Sequence, residues 1–398
     1  MAFKQLLYMS EIPPSSIGGQ PLIVLKLLRD YDMTCLHVLC DSRFQRMGPA
    51  MQATFLACRH TAIHNVEGTS ELRPRRVVTA LANAVNALRV GTILRAGERI
   101  VRERGVEAIL TVPWRCEFAI AAYQLSLATG IPLYVFETDD WAAMNPRGLP
   151  GRLVRRHQAD LLRHAEKVWV ISEEMAGLYR ERFGIDGEVL FHYLDPEPYE
   201  SASARRERLS DDGVLRLVYT GAINTMFLDT MQALCDQING GIEVEGRRVQ
   251  LDVYGSGMPA GFAGPHVRHR GMVVSEAIPD VLAAADACVL GVTFDRRPEL
   301  VELVSTSIYT KTIDYLAARR PVVIVAPPYA AEVRYFRDVA TIVDTLDGDR
   351  IARALAGLAR PDPEIDARCE RGVALVRAEH SLERRDEIFL RKFRSGGL

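Results

Sequence analysis

Residues 305–326 read STSIYTKTIDYLAARRPVVIVA. Ser307–Ala318 spaces its apolar residues at helical intervals and Pro321–Ala326 is a short β-branched run, so a helix is predicted to feed directly into a buried strand. The same unit recurs along the chain. Upstream, strand-like runs at Gln5–Met9, Cys35–Cys40, Val106–Val112, Pro132–Phe136, Val168–Ile171 and Glu188–Tyr193 alternate with stretches of 3.6-residue periodicity. Asp195–Gly213 (DPEPYESASARRERLSDDG) interrupts the rhythm and reads as a linker, being polar, charged and without an apolar face. A second series follows, with strands expected at Leu215–Tyr219, Val249–Tyr254, His266–Arg270, Ala287–Leu290, Pro321–Ala326 and Thr341–Val343. Its helices are expected near Met226–Ile238, Ser275–Ala285, Ser307–Ala318 and Tyr329–Phe336, with Glu299–Ser307 a polar loop. This alternation is that of parallel βαβ units, so the expectation is an α/β protein of two doubly wound domains. The domains are expected at 1–194 and 214–380, joined by 195–213. The tail from Asp349 to Phe393 is helical by pattern, and 381–398 is read as a helix packing back on the first domain.

The composition suits that reading. The chain has 398 residues, 48% hydrophobic and 25% charged, which excludes disorder and leaves room for two cores. Its 49 Lys+Arg balance 51 Asp+Glu, so no global field draws it to nucleic acid. Seven scattered cysteines (Cys35, Cys40, Cys58, Cys116, Cys235, Cys288, Cys369), without a C-x-x-C pair, argue against a disulfide framework and a zinc site and fit a reducing compartment. Met1–Ser10 lacks the build of a signal peptide, and no apolar run reaches the roughly 18–20 residues of a bilayer span. A cytoplasmic placement is expected.

Ligands of doubly wound sheets bind outside the carboxyl ends of the strands, where helix N-termini aim N–H groups at the crevice. After the first strand, Gly18 and Gly19 open a helix, either as a plain turn or as a close approach to a ligand. Pro132–Phe136 is followed by Glu137, Asp139, Asp140 and Trp141, which read either as a helix-capping acidic turn or as a site that holds a sugar hydroxyl or accepts its proton. In the second half Gly221, Gly255, Gly257 and Gly271 stand at strand ends. Ser305, Thr306 and Ser307 are expected as N-cap residues of a helix on which Lys311 and Asp314 share a face. Lys311 can neutralise phosphate and Asp314 can accept from a ribose diol; an intrahelical ion pair is the alternative. Neither G-x-G-x-x-G nor a phosphate-loop motif occurs.

The order of these features resembles the GT-B glycosyltransferases, and within them the large retaining group that uses nucleotide sugars. The resemblance rests on Pro13–Gly19, on His164–Met175 (HAEKVWVISEEM) with Arg182-Phe183-Gly184, on Tyr219-x-Gly221, Gly255-x-Gly257 and Gly271-x-Val273, and on Lys311-x-x-Asp314-Tyr315-Leu316-Ala317. It implies two Rossmann-like domains facing a central cleft, a nucleotide diphosphate sugar as donor and no separate cofactor or metal. By the same match Asp314 holds the ribose, Thr306, Ser307, Tyr309, Thr310 and Lys311 lie at the diphosphate, and Met272 and Val273 read the base, beside Gly221 and Gly255. The chain departs from the group in two places. Thr306 stands where the first Glu of Glu-x7-Glu belongs, and Ala222–Met226 lacks the usual cations; Lys311 is the candidate replacement, with Arg296 or Arg297 behind it.

The resemblance further implies an acceptor, glycan or lipid-linked, entering over Gly18, Gly19, Glu137, Asp139, Asp140 and Trp141. Asp140 would be the general base for inversion; for retention the donor phosphate takes the proton and Asp140 positions sugar. Arg43–Arg104 carries eleven Arg against four Glu, with Val77, Val78, Leu81, Val85 and Leu88 alongside. That pattern reads either as a solvated face over a buried stripe or as peripheral contact with an anionic membrane. The expected function is glycosyl transfer in building a bacterial surface glycan, against two alternatives: a non-catalytic GT-B-like binding subunit and a nucleotide-sugar epimerase of the same fold.

Overall fold

A computed structural model describes residues 2–16, 18–43, 55–65, 76–205 and 212–395, the side chains of 76–80 excepted. The chain divides into two units, Met1–Phe191 with Arg385–Leu398, and His192–Arg384.

Unit 1 runs β1 (Leu6–Met9), α1 (Gly19–Leu28), β2 (Leu36–Asp41), β3 (Arg59–Ile63), α2 (Arg76–Ala87), α3 (Val90–Arg104), β4 (Ala108–Thr111), α4 (Cys116–Thr129), β5 (Leu133–Glu137), α5 (Trp141–Met144), α6 (Gly148–His164), β6 (Lys167–Val170), α7 (Glu173–Phe183) and β7 (Glu188–Val189). The strands form one sheet in the order β3-β2-β1-β4-β5-β6-β7, and every pairing is parallel. Strands buried on both faces need continuous apolar runs, which is why β1, β4 and β5 are legible in the sequence. β3 (RHTAI) is not: it is an edge strand with a mostly polar surface and no apolar run to betray it. In the core, Trp169 of β6 stacks on Tyr134 of β5 at 5.8 Å and meets Phe389 and Phe393 of the returning C-terminal segment. Arg385 is buried in the same unit, where it pairs with Asp30 at 2.5 Å and Asp386 at 2.7 Å.

Unit 2 runs α8 (Glu197–Ala204), β8 (Val214–Thr220), α9 (Leu228–Asn239), β9 (Glu243–Val244), β10 (Arg247–Tyr254), β11 (Val267–Gly271), α10 (Ile278–Ala283), β12 (Ala287–Gly291), α11 (Pro298–Thr306), α12 (Thr310–Ala317), β13 (Val322–Val325), α13 (Ala331–Phe336), β14 (Thr341–Val343), α14 (Gly348–Leu358) and α15 (Pro363–Glu379), and α16 (Leu382–Ile388) follows. Its sheet order is β11-β10-β8-β12-β13-β14, with β9 antiparallel on β10.

Two sequence expectations change here. The stretch 195–213 contains α8, whose Tyr199 and Ala202 are buried; its prolines and acids mask a short helix with an inward face. Glu299–Ser307 is helix, not loop: Pro298 sits in its first turn, where a missing N–H costs nothing, and Leu300, Leu303 and Val304 are buried. Ser305, Thr306 and Ser307 therefore end α11 instead of capping α12. The Thr306 hydroxyl donates to the Glu302 carbonyl at 2.8 Å, and the N-cap of α12 is Tyr309, whose side chain makes no capping bond.

Candidate functional site

Strand order in unit 2 reverses between β8 and β12, so the ligand crevice of that sheet opens beyond Thr220 and Gly291. Three strand tips are locked together there. The Gly221 N–H donates to Tyr254 O at 2.7 Å with φ +117°, and the Gly255 N–H donates to Gly271 O at 3.0 Å. A Cβ on Gly255 would lie 2.5 Å from Gly221 O, so the close approach of these backbones requires glycine. Gly257 has open space around it, Met272 is 57% exposed and Val273 is half-buried.

Lys311, in the first turn of α12, reaches this edge: its Cε would be 3.1 Å from a Cβ on Gly221. Its ammonium lies 3.8 Å from the Phe227 ring centroid, 5.2 Å from Tyr219 and 5.7 Å from Tyr309, a cation held by aromatic faces. Burial pushes its pKa down to about 8, against the pull of Glu332 and Asp314. Glu332 of α13 is fully buried, accepts from the Tyr309 N–H at 3.0 Å and from the Thr312 hydroxyl, and is pushed up to about 7 by that burial. Thr310 opens α12 beside it.

Asp314 sits one turn further along α12, with its side chain 12% exposed. Its Oδ1 accepts from the Tyr199 hydroxyl at 2.7 Å and lies 3.6 Å from His192 Nε2. Burial and that carboxylate raise Tyr199 well above the usual phenol range. His380 Nδ1 lies 3.1 Å from the His192 carbonyl, and Tyr335 closes on its Nε2 at 2.9 Å. Of the reserve cations, Arg297 is paired with Asp295 at 2.9 Å and Arg296 stacks 5.5 Å over Tyr329. The sequence names Lys311 and Asp314 as candidates, while Tyr199, His192 and Glu332, which the structure packs around α12, are not among its candidates. A lone aromatic in the supposed linker is the only available signal.

In unit 1, Gly18 is the N-cap of α1 at φ +98° and Gly19 begins the helix, both exposed. At the tip of β5 the acidic residues divide. Asp140 is fully buried, and its Oδ1 caps α5 by accepting from Ala143 N–H at 2.8 Å. Glu137 is fully buried, and desolvation beside Asp140 and Asp139 raises it well above the carboxylate range. Trp141 is buried beneath them, while Asp139 alone of the three acids is half-exposed. Asp140 thus caps α5, as the capping alternative has it, and Asp139 is the acid of this turn that solvent reaches. Elsewhere Leu81, Val85 and Leu88 are exposed at 65%, 38% and 75%, and Arg95, Arg99 and Arg102 are exposed on α3. Arg46, Arg73 and Arg75 lie outside the described residues, as do the side chains of Arg76, Val77 and Val78. Among the described residues no group of His, Cys, Asp and Glu could hold a metal ion, and no helix is long and apolar enough to cross a membrane.

No protein-family model matches the sequence, and no curated protein does. Solved structures match over nearly the whole chain. Sucrose-phosphate synthase from Thermosynechococcus elongatus is 13% identical, with 96% of each chain covered and a TM-score of 0.67. HepE from Anabaena, solved in complex with UDP and glucose, is 12% identical, with 98% of this chain and 99% of that one covered at a TM-score of 0.68. A glycosyltransferase from Rickettsia africae is 11% identical, with 98% of both chains covered at 0.63. The chain has the fold of the GT-B glycosyltransferases, two predominantly parallel Rossmann-like sheets.

Proposed function

We propose that this chain is a glycosyltransferase that moves a sugar from a nucleoside diphosphate donor to an acceptor hydroxyl. The observation that carries the reading is the pair Lys311 and Asp314, one turn apart on α12 beside Gly221 at the switch point of the second sheet. A cation next to a carboxylate at that edge fits a diphosphate next to a ribose diol. HepE, of the same fold, has been solved with UDP and with UDP-glucose. In this reading Asp314 holds the ribose, Lys311 neutralises the leaving diphosphate with the α12 N-terminus at Tyr309–Thr310, and Met272–Val273 lie along the base between the glycine tips.

The acceptor is a glycan or a lipid-linked sugar bound on unit 1, over Gly18, Gly19 and the β5 tip. Asp139 is the acid that meets the acceptor there, while Asp140 and Glu137 hold the turn over Trp141. A role in building a bacterial surface polysaccharide belongs to this reading. The exposed Leu81, Val85 and Leu88 beside an Arg-rich sequence favour peripheral contact with anionic lipid. Co-sedimentation with vesicles is expected to rise with their content of anionic lipid and to fall in Leu81→Ser/Leu88→Ser.

The donor half is tested by calorimetry and thermal shift against UDP, GDP, dTDP, ADP and CMP and their common sugars. Binding of one nucleotide family, stabilising by mass action, is the expected result; binding of none would leave the non-catalytic subunit as the better reading. The pH dependence has a definite sign. Lys311 is charged below about 8 and attracts the diphosphate there, so affinity is expected to fall as pH rises through 8 toward the higher pKa of the bound state. Lys311→Met is expected to bind about tenfold or more weakly at pH 7, as for loss of a charged hydrogen bond of about 1.5–3 kcal/mol, and to lose that pH dependence. An unaltered profile in the variant would remove Lys311 from the diphosphate site.

A further inference from the structure

The sheet of unit 1 has its own switch point, between β1 and β4, with the α1 glycines following the first of those strands. Four separate stretches bring polar side chains to it. Ser10 and Glu11 follow β1, Asp41 ends β2 with Arg43 just beyond, Asn65 follows β3, and Arg115 and Glu117 follow β4.

Glu11 is 3% exposed. Its Oε1 is shared by the Arg43 guanidinium and by Arg115 Nε at 3.1 Å. Arg43 Nε also donates to Asp41 Oδ2 at 2.9 Å. The Asn65 amide donates to Asp41 Oδ2 at 3.1 Å and to Glu117 Oε1 at 3.4 Å. Gln20, in the first turn of α1, donates to Val112 O at 3.4 Å, the carbonyl that also receives the Ser10 hydroxyl at 2.8 Å.

Three oxygens of this network are buried and have no donor among the described residues: Glu11 Oε2, Gln20 Oε1 and Asn65 Oδ1. Their residues are 3%, 7% and 6% exposed. An unmet buried acceptor costs roughly 1–3 kcal/mol, so the three oxygens of this network call for donors, from water or from a bound ligand that brings protons. Two half-buried guanidiniums stand over the same crevice, Arg43 at 27% and Arg115 at 26% side-chain exposure. Arg115 reaches Glu11 through Nε, and its planar guanidinium suits a planar or tetrahedral anion.

We infer that the β1/β4 crevice of unit 1 binds a small acidic sugar, its hydroxyls donating to Glu11, Gln20 and Asn65 and its carboxylate or phosphate meeting Arg115 and Arg43. This deepens the acceptor half of the proposed function and rests on that reading for the transfer that would follow binding. It selects a charged, hydroxyl-rich acceptor over an apolar one: a lipid chain would leave all three oxygens unmet.

The experiment is calorimetry, backed by saturation-transfer NMR, of the full chain with glucuronate, glucose 6-phosphate, glucose and octyl glucoside. At least one of the two acids is expected to bind tenfold or more tightly than glucose, and which one does separates a carboxylate from a phosphate source. Arg115→Gln should abolish that advantage while leaving glucose unchanged, and Gln20→Leu should weaken every sugar. Should Arg115→Gln fail to fold, Arg115→Lys keeps a cation beside Glu11 but loses the second terminal nitrogen, and is expected to lose the same tenfold. Nucleotide binding, measured on the same samples, should not change, so loss of the donor reading and loss of this one register separately. Acids binding no better than glucose, no sugar binding at all, or acid binding unchanged in both Arg115 variants would overturn the assignment.

Discussion

Asp314→Ala is expected to weaken nucleoside diphosphate binding by one to two orders of magnitude, with the sugar part of the donor making little difference to the ratio. A hydrogen bond to a charged acceptor is worth about 1.5–3 kcal/mol, and a ribose diol offers two donors. Tyr199 donates to Asp314 Oδ1 at 2.7 Å and His192 stands 3.6 Å away, so the carboxylate is oriented before any nucleotide arrives. The alanine variant also strands a buried tyrosine hydroxyl, and a stability loss of about 1–3 kcal/mol should accompany it. Two further variants separate the effects. Asp314→Asn keeps an acceptor for Tyr199 but removes the charge, and should lose most of the nucleotide affinity with less of the stability. Tyr199→Phe should loosen the carboxylate and cost severalfold in affinity. Calorimetry and urea unfolding on the four proteins decide it; an Asp314→Ala protein that binds nucleotide as the wild type does would move the ribose elsewhere.

Gly255→Ala should be the most damaging single methyl group in unit 2. Its Cβ would stand 2.5 Å from Gly221 O and 3.0 Å from Gly221 C, both backbone atoms of a neighbouring strand tip. No rotamer change relieves such a contact, so β8 and β10 must part at their ends, at about 1–3 kcal/mol or more. Gly221 also lies against the Lys311 side chain, so the displacement carries into the proposed diphosphate site and nucleotide affinity should fall along with the unfolding midpoint. Gly257→Ala is the control, two residues on, with nothing within 4 Å of the added methyl; it should stay within about 0.5 kcal/mol of wild type. Equal stability of the two variants would mean that the glycine tips are not packed as described.

Much of the architecture is legible in the sequence because buried parallel strands must be apolar on both faces: Leu133–Glu137 and Val322–Val325 announce themselves. Lys311 and Asp314 are legible too, since a spacing of three fixes a shared helix face wherever the helix lies. Misreadings fall where local chemistry has two solutions. Pro298-Glu299 opens α11 as readily as it would open a loop, and Ser305–Ser307 would cap a helix start but here closes a helix end. Asp140 is legible as an acid at a strand end, whereas its burial under the capped turn is not.

The sequence by itself determined the rhythm of strands and helices, the glycines at the strand tips and the cation–carboxylate pair on α12, because each depends on residues within a few positions of one another. Tertiary structure alone decided what those residues meet. Tyr199 reaches Asp314 across 115 positions, Thr312 reaches Glu332 across 20, and Asn65 reaches Glu117 across 52. Burial, which shifts Lys311 down and Glu332 up, is likewise a property of the packed sheet and not of any segment, since desolvation depends on every element that excludes water from the group.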